Sequence, residues 1–373
     1  MMEPGPEGRG ADSGTRSLGR SRFEELAAGF ETARVVVLGD LMLDRYVSGP
    51  ADRVSPEAPV PVVRVDREWD AVGGAANVAA NVRALGARCD VVGVLGSDAP
   101  GEAVAVALER LGAGCRCARD ASRATTVKTR VLARGQQVVR IDREDPEPVG
   151  LGVAEELAAH IDAVLPGADA LVVADYDKGA LIPPLIRHTL ATAASASIPV
   201  LVDPKRRNFF AYGGATVFKP NRAELEAALG EPVQPDGVDW LGAARERVGC
   251  SHLLLTLGAA GMVVASPGRP PYRVAARARS VYDVSGAGDT VAAVVAVALA
   301  AGAGLEEAVE VAAVGAAAGV ARVGVATVSA EEIALRLADE APGIPRRGAS
   351  IGGAPSPGAD PASPGPKTPN RTG

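Results

Sequence analysis

The residues with the most chemical content lie in VYDVSGAGDTVAA, 281–293. Asp289 directly follows the turn Gly286-Ala287-Gly288 and precedes an almost wholly apolar stretch. A glycine-rich turn that opens a helix exposes unpaired N–H groups, and with the helix dipole these favour an anion such as phosphate. A carboxylate at that spot repels a resident anion. It makes chemical sense if its task is to take a proton from a hydroxyl that attacks phosphorus, because phosphoryl transfer needs a positioned and deprotonated nucleophile. On that reading Gly286, Ala287 and Gly288 present amides to the moving group and Asp289 is the base. The same residues also describe an ordinary helix start, where Asp is favoured in the first turn. The run TVAAVVAVALAAG after Asp289 is apolar all round and predicts a deeply buried, rigid helix.

Three further spacings carry chemistry. In AVGGAANVAANVRALGA (71–87), Gly73 and Gly74 allow a ligand to approach the backbone, and Asn77 in the following first turn can both donate and accept. Tight helix–sheet packing with a capping Asn explains the same letters. In FKPNRAELEAAL (218–229), Asn221 and Glu224 share a face if a helix starts there, and an amide beside a carboxylate suits a hydrated Mg²⁺. A capping box is the alternative. In LLLTLGAAGMVV (253–264), Thr256 and Gly258 end a strand and Gly261 turns the chain into the next. That segment is not a Walker A loop.

The elements that must position these residues follow from alternation. The runs 34–39, 90–96, 170–175, 199–203, 215–219 and 252–258 read as buried strands. Helical patterns lie between them near 74–86, 101–112, 151–164, 181–195, 222–229 and 238–248. This order predicts an α/β fold with a mostly parallel sheet covered on both faces, and ligands at the carboxyl ends of its strands. Asp175, Asp203, Lys219 and Thr256 stand at such ends. The stretches 46–66 and 125–142 alternate apolar and polar residues instead. They read as antiparallel strands of a small flap, with the Pro-rich PEAPVP at its edge.

Composition narrows the classes. The 373 residues are 47% hydrophobic and 23% charged, with a formal charge of −6 and no basic stripe, which argues against nucleic acid as the main partner. No segment has the apolar length of a membrane span, and the N-terminus lacks a signal-peptide core. Four cysteines (89, 115, 117, 250) and three histidines give no metal pattern, and they read as reduced thiols of a cytoplasmic protein. Residues 1–22 read as a disordered leader, 23–340 as the folded domain and 341–373 as a disordered Pro/Gly/Ser-rich tail. A dinucleotide-dependent dehydrogenase is excluded for want of G-x-G-x-x-G after the first strand.

The ordered set GGAAN, K-x-N-x-x-E, T-x-G-x-x-G and D-x-x-GAGDT resembles the ribokinase-like (PfkB) sugar kinase family across nearly all of the folded span. Within it, the segments 39–65, 126–142, ADYDKGAL (174–181) and VDPK (202–205) are similar to kinases of D-glycero-D-manno-heptose 7-phosphate. The resemblance is to the stand-alone kinase, since no H-x-G-H motif of a nucleotidyltransferase is present.

The resemblance implies a mostly parallel α/β sheet with a β lid, often pairing two subunits as a homodimer. It implies ATP and Mg²⁺, with K⁺ in many members. It makes Asp289 the base and Gly286–Gly288 the anion hole. Asn221 and Glu224 would serve phosphate and Mg²⁺, and Thr256, Gly258 and Gly261 the nucleotide pocket. Asp44, with Asp40 a second candidate, would meet the sugar together with Gly73, Gly74 and Asn77. Lys178, Arg130 and Lys205 are candidates for the phosphate already on the sugar, and Asp175 for a sugar hydroxyl. Asp283 and Ser285 lie where a monovalent cation would. Gly315 stands where relatives show an Asn beside the adenine, which leaves nucleotide choice open. A kinase of another sugar or nucleoside and a non-catalytic sugar sensor are the competing readings. Neither the anomer used nor the pathway that consumes the product is legible.

Overall fold

The computed structural model describes residues 18–322 and 324–339. The leader expected over 1–22 and the tail expected over 341–373 fall outside these residues, except for 18–22. There the expectation needs correction: the helix Arg20–Ala27 begins inside the supposed leader, tied down by buried Phe23 and Leu26.

Among the described residues, nine strands form the main sheet. Its order is Tyr272–Val274, Met262–Ala265, His252–Thr256, Val217–Phe218, Val200–Asp203, Ala170–Ala174, Arg34–Gly39, Arg88–Gly96 and Gly114–Asp120. From His252–Thr256 onward every pairing is parallel, and the two strands at the other edge are antiparallel. The strand Arg34–Gly39 shows why the sheet is covered on both faces. Val35 and Val37 point into one apolar cluster, and Val36 and Leu38 into the other. Alternate residues of a strand face opposite sides, so a strand buried on both sides reads as a continuous apolar run.

The helix Ala287–Ala300 lies in the first cluster, with every residue from Asp289 to Ala298 buried. Beside it pack Ala75–Ala84 and Leu305–Gly319. The chain leaves Arg34–Gly39 toward Arg88–Gly96 on one side and returns to Ala170–Ala174 on the other. This reversal is the switch point where an open α/β sheet places its ligand crevice.

A second sheet of four strands has the order Arg67–Gly74, Leu41–Gly49, Thr126–Ala133, Gln136–Arg143. This is the flap, with two differences from expectation. Its first strands are 41–49 and 67–74, while 50–66 forms only the short ribbon Arg53–Val54 with Pro61–Val62. Prolines in that stretch cannot donate to a ladder. The central pairing, Leu41–Gly49 with Thr126–Ala133, is parallel rather than antiparallel. The chain passes through two strands of the main sheet between them, so it re-enters the flap in the same direction. The thiol reading is also corrected. Cys115 and Cys117, alternate residues on one face of the edge strand Gly114–Asp120, are joined as a disulfide, while Cys89 and Cys250 are free and buried. No helix among the described residues is long and apolar enough to cross a membrane.

Candidate active site

Asp289 is the third residue of its helix, after Gly286 at the N-cap with φ 78°. That left-handed conformation suits glycine, and a Cβ there would come 2.8 Å from Asn77 Nδ2. The turn thus brings the helix start against Ala75–Ala84. Asn77 Nδ2 donates to Asp289 Oδ2 at 2.6 Å, and the Tyr176 hydroxyl donates to Oδ1. Gly288 faces the buried ion pair of Lys219 with Asp203, at 3.0 Å. Burial pushes the Asp289 carboxyl up to about 6, opposed by the hydrogen bonds from Tyr176 and Asn77; the Asp203 charge adds to the rise and Lys219 offsets part of it. Of the three expected anion-hole amides, that of Ala287 is engaged by the Val284 carbonyl at 3.2 Å. Those of Gly286 and Gly288 make no backbone hydrogen bond.

A cavity of about 470 Å³ opens beside this centre, within the size range of small-ligand sites. Asp289, Lys219, Asn221 and Glu224 line one part of it, while Val281, Val284, Met262, Ala313, Ala316 and Val320 supply apolar wall. Thr256, Gly258 and Gly261 also line it. Thr256 bridges to Asn221, which is why two motifs distant in sequence meet here. Asn221 and Glu224 form a complete capping box: Glu224 N–H donates to Asn221 Oδ1 at 2.9 Å, and Asn221 N–H donates to Glu224 Oε2 at 2.8 Å. The two explanations of this motif are therefore compatible, because the cap also fixes a carboxylate in the cavity wall. Glu224 Oε1 meets Lys205 Nζ.

Lys205 lines this cavity, whereas Lys178 and Arg130 do not. It lies over the Tyr176 ring at 5.6 Å. The structure thus separates Lys205 from the cation group proposed for a sugar phosphate.

Of the remaining candidates, Asp44, Gly73 and Arg130 come together on the strands of the flap. Arg130 donates to Asp44 at 2.6 Å, and both side chains are nearly buried. Gly73 lies against them, since a Cβ there would sit 2.8 Å from Asp44 Oδ2. Gly74 caps the helix that carries Asn77. Lys178 Nζ pairs with Glu144 at 2.8 Å. Asp283 accepts from the backbone amides of Ser285 (2.8 Å) and Gly324 (3.0 Å). Burial works against its charge, but these bonds prevail and hold its carboxyl below the usual range.

Two candidate acids have their oxygens occupied from within. Asp40 accepts from the backbone amides of Tyr176, Lys178 and Ala180, at 2.8, 3.1 and 3.0 Å. Asp175 accepts from Tyr212, Asn208 and the Asp177 amide. Both carboxyls are raised, mainly by burial, Asp40 to about 6. These bonds shape the loop 175–180. Gly315 also departs from expectation. It packs on Val294, Thr290 and Ile333 and does not line the cavity; Ala313, Ala316 and Ala317 of the same helix do.

A sequence profile of the pfkB family carbohydrate kinases matches residues 32–333. The chain belongs to this family. It is a sugar kinase with the ribokinase-like fold. Among curated relatives, the bifunctional protein HldE of Pelobacter propionicus is 44% identical over 319 residues, which is 85% of this chain and 65% of that protein. The HldE of Alkalilimnicola ehrlichii is 45% identical over 312 residues, 83% of this chain and 65% of that protein. The chain thus spans just under two thirds of the length of these relatives. The structure of Arabidopsis thaliana ribokinase complexed with ribose and ATP superposes with TM-score 0.65 at 22% identity, covering 82% of this chain and 98% of that one. Escherichia coli phosphofructokinase-2 in complex with potassium gives 0.71 at 21%, covering 82% and 99%. These two likenesses concern the fold.

Tyr176, Asp203 and Lys219 escaped the sequence-based site list. Asp203 and Lys219 are legible in the sequence as charged residues at strand ends. Tyr176 lies inside ADYDKGAL (174–181), but its partner is 113 residues away and no motif links the two.

Proposed function

We propose that this sugar kinase transfers the γ-phosphoryl group of ATP to the anomeric hydroxyl of D-glycero-D-manno-heptose 7-phosphate. The product is heptose 1,7-bisphosphate, a precursor of nucleotide-activated heptose. The observation that carries the chemistry is the placement of Asp289. Its carboxylate is pinned at the head of a buried helix, between the flap-side residue Asn77 and the cavity that suits a nucleotide. The substrate choice rests on the heptose-kinase motifs in the sequence and on the identity to the HldE proteins.

In this reading the apolar wall takes the adenine and the polar end the phosphates. Asp289 receives the proton of the attacking hydroxyl. The amides of Gly286 and Gly288, together with Lys219, stabilise the charge on the moving group. Among the described residues no group of three or more His, Cys, Asp or Glu is arranged to hold a metal. Glu224 and Asp203 in the cavity wall fit a Mg²⁺ carried largely by phosphate oxygens and water. Such an ion, when bound, would neutralise phosphate charge. Asp283 and Ser285 remain the candidates for a monovalent cation. Homodimerisation through the flap is supported by exposed Val138, Val139 and Ile141 on its edge strand. Asp289→Asn should fold and lose ATP turnover; wild-type turnover in that variant would remove the base assignment.

A second reading, a kinase of a neutral sugar, has one observation in its favour. Arg130 and Lys178 are each already paired with a carboxylate, Asp44 and Glu144. For heptose 7-phosphate, at least one must turn to the substrate phosphate.

A further inference from the structure

We propose that Tyr176 is a positioning residue for the transfer step: its hydroxyl clamps Oδ1 of Asp289 while Asn77 clamps Oδ2, holding the carboxylate charged and in one orientation. This rests on the reading of Asp289 as the base.

The geometry for it is built in layers. The Tyr176 amide is held by Asp40 Oδ2 at 2.8 Å, and the same buried carboxylate takes the amides of Lys178 and Ala180. Three bonds to one acid fix the loop that carries the phenol. The Lys205 ammonium lies over the Tyr176 ring and is itself tied to Glu224 in the cavity wall. The phenol therefore has little freedom, and its hydroxyl ends on Asp289.

The chemistry follows from counting lone pairs. A carboxylate offers about four acceptor sites. Tyr176 takes one on Oδ1 and Asn77 one on Oδ2, which leaves room for a substrate hydroxyl. Both donors bind the charged form more strongly than the neutral one, so they resist the effect of burial. The other charged groups that act on Asp289 are Asp203, which disfavours its ionisation, and Lys219, which favours it. Lys205 is near enough to be stabilised by the Asp289 charge. Tyr176 is not itself a base. Burial and the neighbouring carboxylates Asp289 and Asp203 push its own ionisation well above the usual tyrosine range. The transferred proton passes from the substrate hydroxyl to Asp289, and Tyr176 keeps its own.

The test is a titration that needs no substrate. Protein labelled with ¹³C at the aspartate carboxyl is followed by NMR between pH 4 and 9, with Asp289→Asn identifying the Asp289 signal. Tyr176→Phe keeps the ring and the backbone bonds to Asp40. It should move the Asp289 midpoint upward by roughly one pH unit, the size expected for one lost hydrogen bond to a charged carboxylate. The acid limb of kcat should move with it, so that the deficit shrinks as pH rises. An unmoved or lowered midpoint in Tyr176→Phe overturns the proposal. The two readings fail separately. If Asp289→Asn keeps wild-type turnover, the base assignment falls and takes this proposal with it. If Asp289→Asn is inactive and the midpoint stays put in Tyr176→Phe, the base stands and only the role of Tyr176 is lost.

Discussion

At the scale of single residues, the site is organised around one buried carboxylate with an unfavourable environment. Asp289 is raised from the ordinary aspartate value to about 6, with burial the largest cause. Two consequences follow. A base that must be ionised gives kcat an acid limb near pH 6, which a pH–rate profile would show as a fall in turnover below that value. The second concerns stability. The native state holds this proton to higher pH than the unfolded chain, so between about pH 4 and 6 the folded form binds more protons. Its contribution therefore declines as pH rises through that window and stays unfavourable above it. Asp289→Asn removes the buried charge. Its melting temperature relative to wild type should be higher at pH 8 than at pH 4.5, as thermal melts at the two values would show. A difference of the opposite sign would mean that the hydrogen bonds from Tyr176 and Asn77 outweigh the cost of burial.

At the scale of elements, the sequence was most legible where burial follows a regular period, two-sided in the strand Arg34–Gly39 and one-faced in the amphipathic helices. The segments 34–39, 151–164, 222–229 and 238–248 coincide with observed strand and helix bounds. The strand Gly114–Asp120 was missed because it is an edge strand: GCRCARD buries little, and its polarity hid it. The flap pairing was misjudged because alternation reports which face is wet and says nothing of strand direction. The assignment of Gly315 failed for a related reason, since helical residues adjacent in sequence face different neighbours. The motifs pointed to Asp289 and its turn, but the hydrogen bond from Tyr176 depends on a loop shaped by Asp40, and no local pattern encodes it. The turn itself can be tested. Gly286→Ala places a methyl against Asn77 and forces an L residue into positive φ, a strain of roughly 1–2 kcal/mol. The expected result is a large loss of kcat with a modest drop in melting temperature. Unchanged kcat would show that the Asn77–Asp289 geometry is not needed.

At the scale of the whole molecule, the main sheet and the flap divide the labour. The carboxyl ends of interior strands supply Asp203, Lys219 and Thr256 to the cavity, and the flap supplies the Asp44–Arg130 pair. Breaking a buried pair by removing one partner leaves an uncompensated charge, at about 3–5 kcal/mol. Arg130→Met should therefore lower the urea midpoint by a clear margin, and adding Asp44→Asn should recover part of the loss. Additive effects in the double variant would argue that the two side chains are not coupled. The proposed function joins both parts, since the sugar must lie under the flap while its anomeric hydroxyl reaches Asp289.

The most direct measurement is ATP consumption by the wild-type protein and Asp289→Asn. The panel is heptose 7-phosphate, fructose 6-phosphate, fructose 1-phosphate, ribose and adenosine, with Mg²⁺ and K⁺ present. The account predicts strong turnover with heptose 7-phosphate alone, abolished in Asp289→Asn. Turnover confined to a neutral sugar, or undiminished turnover in the variant, would contradict it.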